Sequence, residues 1–176
     1  VAFFGIAGYT FGIVTLNTSA AMSLPALLAA VAVATLASLL VGYFMFYGGV
    51  RDVYVAIVTL VMTLVLHTFM AQTAGSEWKV GSARLGGFNG MPGIPNITVG
   101  GFGLSGYSMY YTVAVLLVLT YLGLRVLINS RYGRVMVAVR EDESRAQMLG
   151  YNTKLVKLAV FTFGGLLAGF GGVLFA

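Results

Sequence analysis

The chain has 176 residues, of which 59% are hydrophobic and 9% charged, with a formal net charge of +5 and a mean hydropathy of +0.95. This composition excludes an ordinary soluble domain and indicates a protein whose solvent is the lipid bilayer. The chain has no cysteine, which excludes disulfides and thiolate metal sites, and it lacks the basic face with interleaved aromatics that is typical of nucleic-acid binders, so no nucleic-acid partner is expected.

Long apolar runs define the predicted elements. About 20 consecutive apolar residues cross the hydrocarbon core as a helix, because a helix satisfies its own backbone polar groups there. The sequence therefore predicts an all-α, polytopic helical transmembrane protein, with 1–176 forming a single transmembrane domain. The chain begins and ends within apolar segments, so we expect an internal piece of a longer protein. The predicted spans are about 1–16, 24–47, 53–72, 108–128 and 155–176.

The distribution of basic residues predicts the orientation of these spans. Lys and Arg concentrate between Asn129 and Lys157, and short loops rich in such residues stay in the cytoplasm. We therefore predict that 129–154 is a cytoplasmic loop. Alternation then places Arg51 and Asp52 in the cytoplasm and residues 73–107 outside it. Membrane lipids with anionic headgroups account for the net positive charge.

The predicted outer loop, 73–107, is rich in glycine and contains Pro92 and Pro95, so it cannot form a regular helix. It lacks the Lys-Ser/Thr pair and the strand-to-helix context of a phosphate-binding loop. Two interpretations stay open, a solvated connector and a packed re-entrant or lid-like element. The candidate residues of this loop are Gly86, Gly87, Asn89 and Gly90.

Small residues and one histidine stand out within the spans. Gly8 and Gly12 are one helical turn apart, as are Gly165 and Gly169, a spacing that lets helices approach closely. We interpret these glycines as packing positions rather than as part of a substrate path. Apart from Arg125 and Lys157, which lie near the ends of their spans, His67 is the one His, Asp, Glu, Lys or Arg within a predicted span. It is a candidate for a transport role, or a neutral histidine satisfied by water near the outer end of its helix.

No catalytic constellation is present in the sequence. Glu141, Asp142 and Glu143 are consecutive, so on a helix they point in different directions and do not converge. They are better interpreted as acids at the start of a short helix, about Asp142–Leu149, that Gly150 closes. We expect no catalytic residue, no cofactor and no metal. The helix would present Ala146, Met148 and Leu149 as small or apolar contacts for a soluble partner.

Several segments resemble a known family. VREDESRAQMLGYNTKLVKLAVFTFGGLLAGFGGVLFA resembles the cytoplasmic coupling loop and following helix of bacterial ABC-transporter permeases for branched-chain amino acids, which are related to urea and amide permeases. RYGRVMVAVREDE is similar to the lead-in of that loop. AFFGIAGYT resembles the family's early glycine-rich segment, and LGGFNGMPGIP its extracytoplasmic Gly-Gly-x-x-Gly stretch. The resemblance covers nearly all of the chain, in the family's order.

The resemblance implies a coupling helix that docks on an ATPase. Ala146 and Gly150 match the family's Ala-rich loop ending in glycine, whereas Ser144 and Arg145 depart from its Glu-Ala. The implied ATPase-coupling residues are Glu141, Asp142, Glu143, Arg145, Ala146, Leu149 and Gly150.

The resemblance also implies function and partners. The chain would be a permease subunit with the helix bundle of an ABC importer, in a bacterial or archaeal inner membrane. It would bind no ATP and would work by alternating access with cytosolic ATPase subunits, a second permease subunit and a periplasmic or lipid-anchored substrate-binding protein. The expected cargo is branched-chain or other small apolar amino acids. The alternatives are a urea or amide permease, an ATP-independent channel or facilitator, and a noncatalytic membrane scaffold.

Overall fold

A computed structural model describes residues 1–18, 23–50, 53–75, 77–99, 102–103 and 105–176. Arg51 and Asp52, to which the topology argument assigned a cytoplasmic position, lie outside the described residues. Within them the chain forms seven α-helices, a 3-10 helix at Gly87–Asn89 and two short hairpins. The helices are α1 (Ala2–Asn17), α2 (Ser23–Tyr47), α3 (Val53–Gln72), α4 (Tyr107–Asn129), α5 (Arg131–Glu141), α6 (Glu143–Met148) and α7 (Thr153–Phe175). The hairpins pair β1 (Lys79–Val80) with β2 (Ala83–Arg84), and β3 (Thr98–Val99) with β4 (Phe102–Gly103), both antiparallel.

Four of the helices, α2, α3, α4 and α7, are long and apolar enough to cross a membrane. α1 is apolar but shorter, at 16 residues. The predicted all-α, polytopic fold class is confirmed, and the chain is a multi-pass membrane protein. α3 and α4 bury none of their described residues within the chain, as expected for helices whose surfaces face lipid or other subunits.

The structure divides into two compact units. The first contains residues 1–104 and 161–176, and the second contains residues 105–160. α7 starts in the second unit and ends in the first. The charged residues of Asn129–Lys157 belong to the second unit. The described glycine-rich residues from 75 to 103 belong to the first unit.

The first unit is packed through small residues. α2 buries a face on which alanines and serines recur every three or four residues, among them Ala30, Ala34 and Ser38. From α7, Gly165 faces Ser38 so closely that an added methyl group would overlap its side chain, and a methyl at Gly169 would lie 3.0 Å from Cβ of Ala34. Helix backbones approach closely here because side chains are missing.

α1 packs in two different ways at its two predicted glycines. A methyl group at Gly8 would lie 3.2 Å from the carbonyl oxygen of Gly172 in α7, so Gly8 is at a helix-to-helix contact. A methyl group at Gly12 would instead meet Sδ of Met91 at 3.0 Å and Cδ1 of Ile94 at 3.1 Å. Gly12 therefore makes room for the glycine-rich segment, by which we mean the described residues of 75–103, and not for another helix.

Candidate functional site

Asp142 separates α5 from α6. Its backbone is extended, with φ of −153° and ψ of 101°, so α5 ends at Glu141 and α6 begins at Glu143. The Asp142 carboxylate accepts a hydrogen bond from the backbone N–H of Arg145 at 3.0 Å, which makes it the N-cap of α6. Glu141 thus belongs to the preceding helix, and of the three consecutive acids only Glu143 lies in the first turn of α6.

Arg145 also pairs with the capping aspartate. Its Nε lies 2.8 Å from Oδ2 of Asp142, but the Arg145 side chain is 84% exposed. Exposed ion pairs contribute about 0.2–1 kcal/mol, so this one adds little to the stability of the turn. The cap, and not the ion pair, is the main contribution of Asp142.

Gly150 ends α6. The Tyr151 N–H donates to the Ala146 carbonyl at 3.2 Å, and the Gly150 N–H donates to the Gln147 carbonyl at 2.9 Å. These two bonds form the Schellman motif, which needs a left-handed residue at the position of Gly150. Gly150 has φ of +87°, and a methyl group there would meet nothing within 4 Å. The requirement for glycine is therefore one of backbone conformation and not of space.

Two side-chain contacts hold α6 against the start of α7. Lys157 Nζ lies 2.5 Å from Oε2 of Glu143, and both side chains are more than two thirds buried. Nε2 of Gln147 donates to the hydroxyl of Thr153 at 2.9 Å, and Thr153 is buried. α6 is thus held to α7 near both of its ends.

The surface that α6 offers differs from the one the sequence suggested. Ala146 is 2% exposed and packs inside the unit, whereas Met148 and Leu149 are 85% and 75% exposed. Two apolar side chains projecting from a charged surface are available for a partner. Of the residues assigned to coupling, Leu149 lies on this surface, Ala146 lies beneath it, and Asp142 and Gly150 shape the ends of the helix.

The glycine-rich segment is attached to the end of α1 through Asn17. Its Nδ2 donates to the Val80 carbonyl at 2.8 Å, and its Oδ1 accepts from the Ser82 backbone N–H at 2.8 Å. The Ser82 hydroxyl donates to the Leu16 carbonyl at 2.5 Å. Gly81, in the hairpin turn, has φ of +64°, and a methyl group there would overlap the Asn17 amide. The β1–β2 hairpin is therefore docked on α1.

The candidate glycines of this segment form the next tight region. Gly86, Gly87 and Gly90 all have positive φ, between +60° and +74°. A methyl group at Gly86 would overlap the Gly90 carbonyl, and one at Gly87 would lie 2.6 Å from Cβ of Ala74. Asn89 is exposed. Gly86 and Gly87 are therefore closely packed, whereas a methyl group at Gly90 would meet nothing within 4 Å.

A cavity of about 460 Å³ lies among α1, α3 and the glycine-rich segment. His67 of α3 lines it, together with Thr63 of the same helix, Tyr9 of α1, and Gly87 and Gly90. Most of the remaining wall is aliphatic. His67 of α3 is thus brought to the same place as Gly87 and Gly90 of the glycine-rich segment.

Comparison with known proteins identifies the family. A family model described as "Branched-chain amino acid transport system / permease component" matches residues 1–176, the whole chain. The chain belongs to this permease family. The family resemblance inferred from the sequence motifs is confirmed.

Two curated permeases are similar over part of the chain. Both are named high-affinity branched-chain amino acid transport system permease protein LivM, one from Escherichia coli (strain K12) and one from Salmonella typhimurium (strain LT2). Each is 37% identical over 68 residues, which cover 39% of this chain and 16% of the relative. No solved structure matches the chain.

Sequence reasoning missed several residues that form contacts around α6 and around the glycine-rich segment. Asn17, Gln147 and Thr153 were not singled out, and Lys157 was counted only as a positive charge. Gln147 and Thr153 flank the Gly150 turn, so their proximity follows once that turn is recognised. Asn17 has no such local signal, because its partners lie more than 60 positions away.

Proposed function

We propose that this chain is the membrane-spanning permease subunit of an ABC importer, which carries branched-chain or other small apolar amino acids into the cytoplasm. The observation that carries the proposal is the family match over the whole chain. The LivM relatives, whose names state branched-chain amino acid transport, support the choice of cargo. ATP hydrolysis then belongs to partner subunits, and this chain performs no reaction of its own.

The proposed working arrangement assigns a side of the membrane to each region. The charged segment Asn129–Lys157 faces the cytoplasm and the glycine-rich segment faces outward, in the inner membrane of a bacterium or archaeon. This orientation is supported by the density of basic residues in the charged segment. A second permease subunit completes the pathway, and a periplasmic or lipid-anchored binding protein delivers the cargo at the outer face.

In the proposed mechanism, α6 receives movement from the ATPase. Met148 and Leu149 insert into a cleft of the ATPase, as apolar helix residues do in helix-in-groove recognition. Because Glu143 and Gln147 tie α6 to the first two turns of α7, a displacement of α6 moves the start of α7 with it. α7 continues to Gly165 and Gly169, where small residues permit helices to repack as the pathway alternates.

The first test is uptake by the full-length transporter in proteoliposomes, together with its ATPase and binding protein. Radiolabelled L-leucine should accumulate only when ATP is supplied on the ATPase side. Accumulation at the same rate without ATP would overturn the importer and favour a facilitator. Uptake of urea or an amide in place of L-leucine would overturn the cargo and keep the transporter class.

The second test locates the ATPase contact. A single cysteine is placed at Leu149 in a full-length transporter without other accessible cysteines, and crosslinking to the ATPase is measured with and without ATP. We expect a crosslink whose yield changes with ATP. Ala146→Cys is the matched control, since the same short helix carries it on a buried position, and it should crosslink weakly. An active transporter with no crosslink at Leu149 or Met148 would contradict the assignment of α6.

A further inference from the structure

The cavity among α1, α3 and the glycine-rich segment combines an aliphatic wall with a few polar atoms. Ile6 of α1 and Leu64 and Met70 of α3 supply apolar surface, and Tyr9 and Thr63 supply hydroxyl groups. Its volume of about 460 Å³ falls within the ordinary range for sites that bind small molecules. Among its described lining residues there is no Asp, Glu, Lys or Arg. The cavity therefore suits a guest without net charge.

Two polar groups on its wall, the Tyr9 hydroxyl and the Gly87 carbonyl, form only a long hydrogen bond with each other. The Tyr9 hydroxyl lies 3.5 Å from the Gly87 carbonyl oxygen, well beyond the usual O–H···O distance of about 2.7–2.8 Å. The Gly87 carbonyl also accepts from the Gly90 N–H, at a long 3.2 Å. A guest that accepts a hydrogen bond from the Tyr9 hydroxyl and donates one to the Gly87 carbonyl would give both groups better hydrogen bonds than they have now.

Thr63 is oriented to accept. Its hydroxyl donates to the Thr59 carbonyl at 2.8 Å, so the hydrogen is already used and the oxygen lone pairs are left for a donor. Besides the imidazole of His67, the wall offers a donor, the Tyr9 hydroxyl, and two acceptors, the Gly87 carbonyl and the Thr63 oxygen. A carboxylate and an ammonium group on one carbon match this set.

We propose that this cavity is a binding site for the transported solute, a zwitterionic amino acid with an aliphatic side chain. The carboxylate accepts from Tyr9, the ammonium group donates to Gly87 and Thr63, and the side chain lies against Ile6, Leu64 and Met70. The inference rests on the proposed function, because it assigns the cargo of that importer to a place within this chain. Selection at this site adds to selection by the binding protein.

Gly5 gives the means to test the site without disturbing its neighbours. It lines the cavity from α1, and a methyl group added there would meet nothing within 4 Å. We expect a larger side chain at this position to extend into the cavity and to take up volume that the solute's side chain would fill. Gly90 also lines the cavity but has φ of +73°, so a substitution there would strain the backbone and confuse the result.

The experiment uses the full-length transporter with its ATPase and saturating, loaded binding protein, and it measures maximal uptake of radiolabelled L-leucine and L-valine. Gly5→Leu should lower maximal L-leucine uptake about tenfold or more and L-valine uptake less, since a misfit of one or two methyl groups in an apolar site changes rates by about 10–200-fold. Gly5→Ala should have a smaller effect in the same direction. Gly123→Leu in α4, where an added methyl also meets nothing within 4 Å, should leave both rates unchanged.

Tyr9→Phe tests the polar half of the site and does not depend on the behaviour of Gly5→Leu. It keeps the ring and removes the hydroxyl, and it should lower maximal uptake of both amino acids about threefold to tenfold without changing their ratio. Wild-type rates and ratio in Tyr9→Phe would overturn the proposal even where Gly5→Leu fails to assemble. Wild-type rates and ratio in Gly5→Leu would overturn it as well.

The wild-type transporter distinguishes the failure of this inference from the failure of the proposed function. If wild-type proteoliposomes show no ATP-dependent amino-acid uptake, the proposed function fails and the assignment of the cavity fails with it. If the wild type transports and the Gly5 and Tyr9 variants match it, only the cavity assignment fails. An ATP-dependent crosslink at Leu149 in each variant verifies that the variants are assembled.

Discussion

The charged segment and the glycine-rich segment are held in place by contacts of different range. In the charged segment, the side-chain contacts of α6 join residues 3, 6 and 14 positions apart. The glycine-rich segment is fixed to α1 by hydrogen bonds that join residues 63, 65 and 66 positions apart. The first is built from caps and a turn, and the second from close backbone approach and one asparagine. The charged segment is therefore a local structure, and the glycine-rich segment exists only where the helices around it have assembled.

The difference in range predicts a difference in sensitivity. Local caps and turns each contribute about 1 kcal/mol, and a change in one of them should adjust the position of α6 without unfolding the rest. Close helix contacts leave no space, so an added side chain there forces backbones apart. Substitutions that test the comparison should accordingly have their largest effects in the first unit and their smallest around α6.

The largest effect is expected at Gly172 of α7. A methyl group there would overlap the backbone carbonyl of Phe4 in α1, so Gly172→Leu must separate the two helices. Overpacking of this kind costs about 1–3 kcal/mol and more where backbone must move. The thermal midpoint of the detergent-solubilised transporter should fall by several degrees.

Gly164→Leu is the matched control for that substitution. Gly164 is on the same helix, and a methyl group there would meet nothing within 4 Å. Its thermal midpoint should stay close to that of the wild type. If the thermal midpoint fell equally in the two variants, a leucine anywhere in α7 would be destabilising. The close contact between Gly172 and the Phe4 backbone would then not explain the effect of Gly172→Leu.

The second effect is expected at Asn17. Asn17→Ala removes the bonds to the Val80 carbonyl and the Ser82 N–H, each worth about 0.5–1.5 kcal/mol, less what water restores at this exposed position. Amide hydrogen exchange in the β1–β2 hairpin should accelerate about fivefold to tenfold, while exchange in α2 stays unchanged. Asn129→Ala at the end of α4 should leave the hairpin protected. Unchanged exchange in Asn17→Ala would show that the hairpin is held by packing and not by this side chain.

The difference between short-range and long-range contacts also explains what sequence reasoning could and could not predict. The helical fold class follows from the length of apolar runs, which is a local property. The short helix was expected at about Asp142–Leu149 and is found at Glu143–Met148, because a capping acid and a terminal glycine are signals within the helix itself. The burial of Ala146 was not predicted, because which face of a six-residue helix packs inward depends on the helices beside it.

The packing of the glycine-rich segment could not be predicted from the sequence either, because it depends on residues that are distant in the chain. Its glycines exclude a helix, but they do not say whether the loop packs. The partners of Asn17 and Gly12 lie in a segment separated from them by two long helices. The cavity that includes Tyr9, His67 and Gly87 likewise draws on three distant parts of the chain. His67 was visible in the sequence as an ionisable group in a span, whereas Tyr9 had no signal.

The third effect, on the turn that ends α6, is smaller. Gly150→Ala places a side chain at φ of +87° and should destabilise the Schellman turn by about 1 kcal/mol. The ATP-dependent crosslink at Leu149, the residue before it, should weaken while the transporter stays assembled. Gly150→Asn is the control, since asparagine tolerates the left-handed conformation better than alanine. If alanine and asparagine behave alike, the conformation of residue 150 does not determine the position of Leu149.

The most informative change in function is expected at the Glu143–Lys157 pair. Both side chains of this pair are more than two thirds buried, so Lys157→Glu should lower the thermal midpoint. It puts two carboxylates where a contact of 2.5 Å held α6 to α7. If that contact transmits movement, Lys157→Glu and Glu143→Lys should each reduce the amount of L-leucine taken up per ATP hydrolysed, and the double variant should restore it. Restoration by the double variant distinguishes the pair itself from the separate effects of either charge. Full coupling in both single variants would mean that Gln147 and Thr153 alone hold α6 to α7, and that the local contacts of the charged segment are redundant where the long-range contacts of α1 are not.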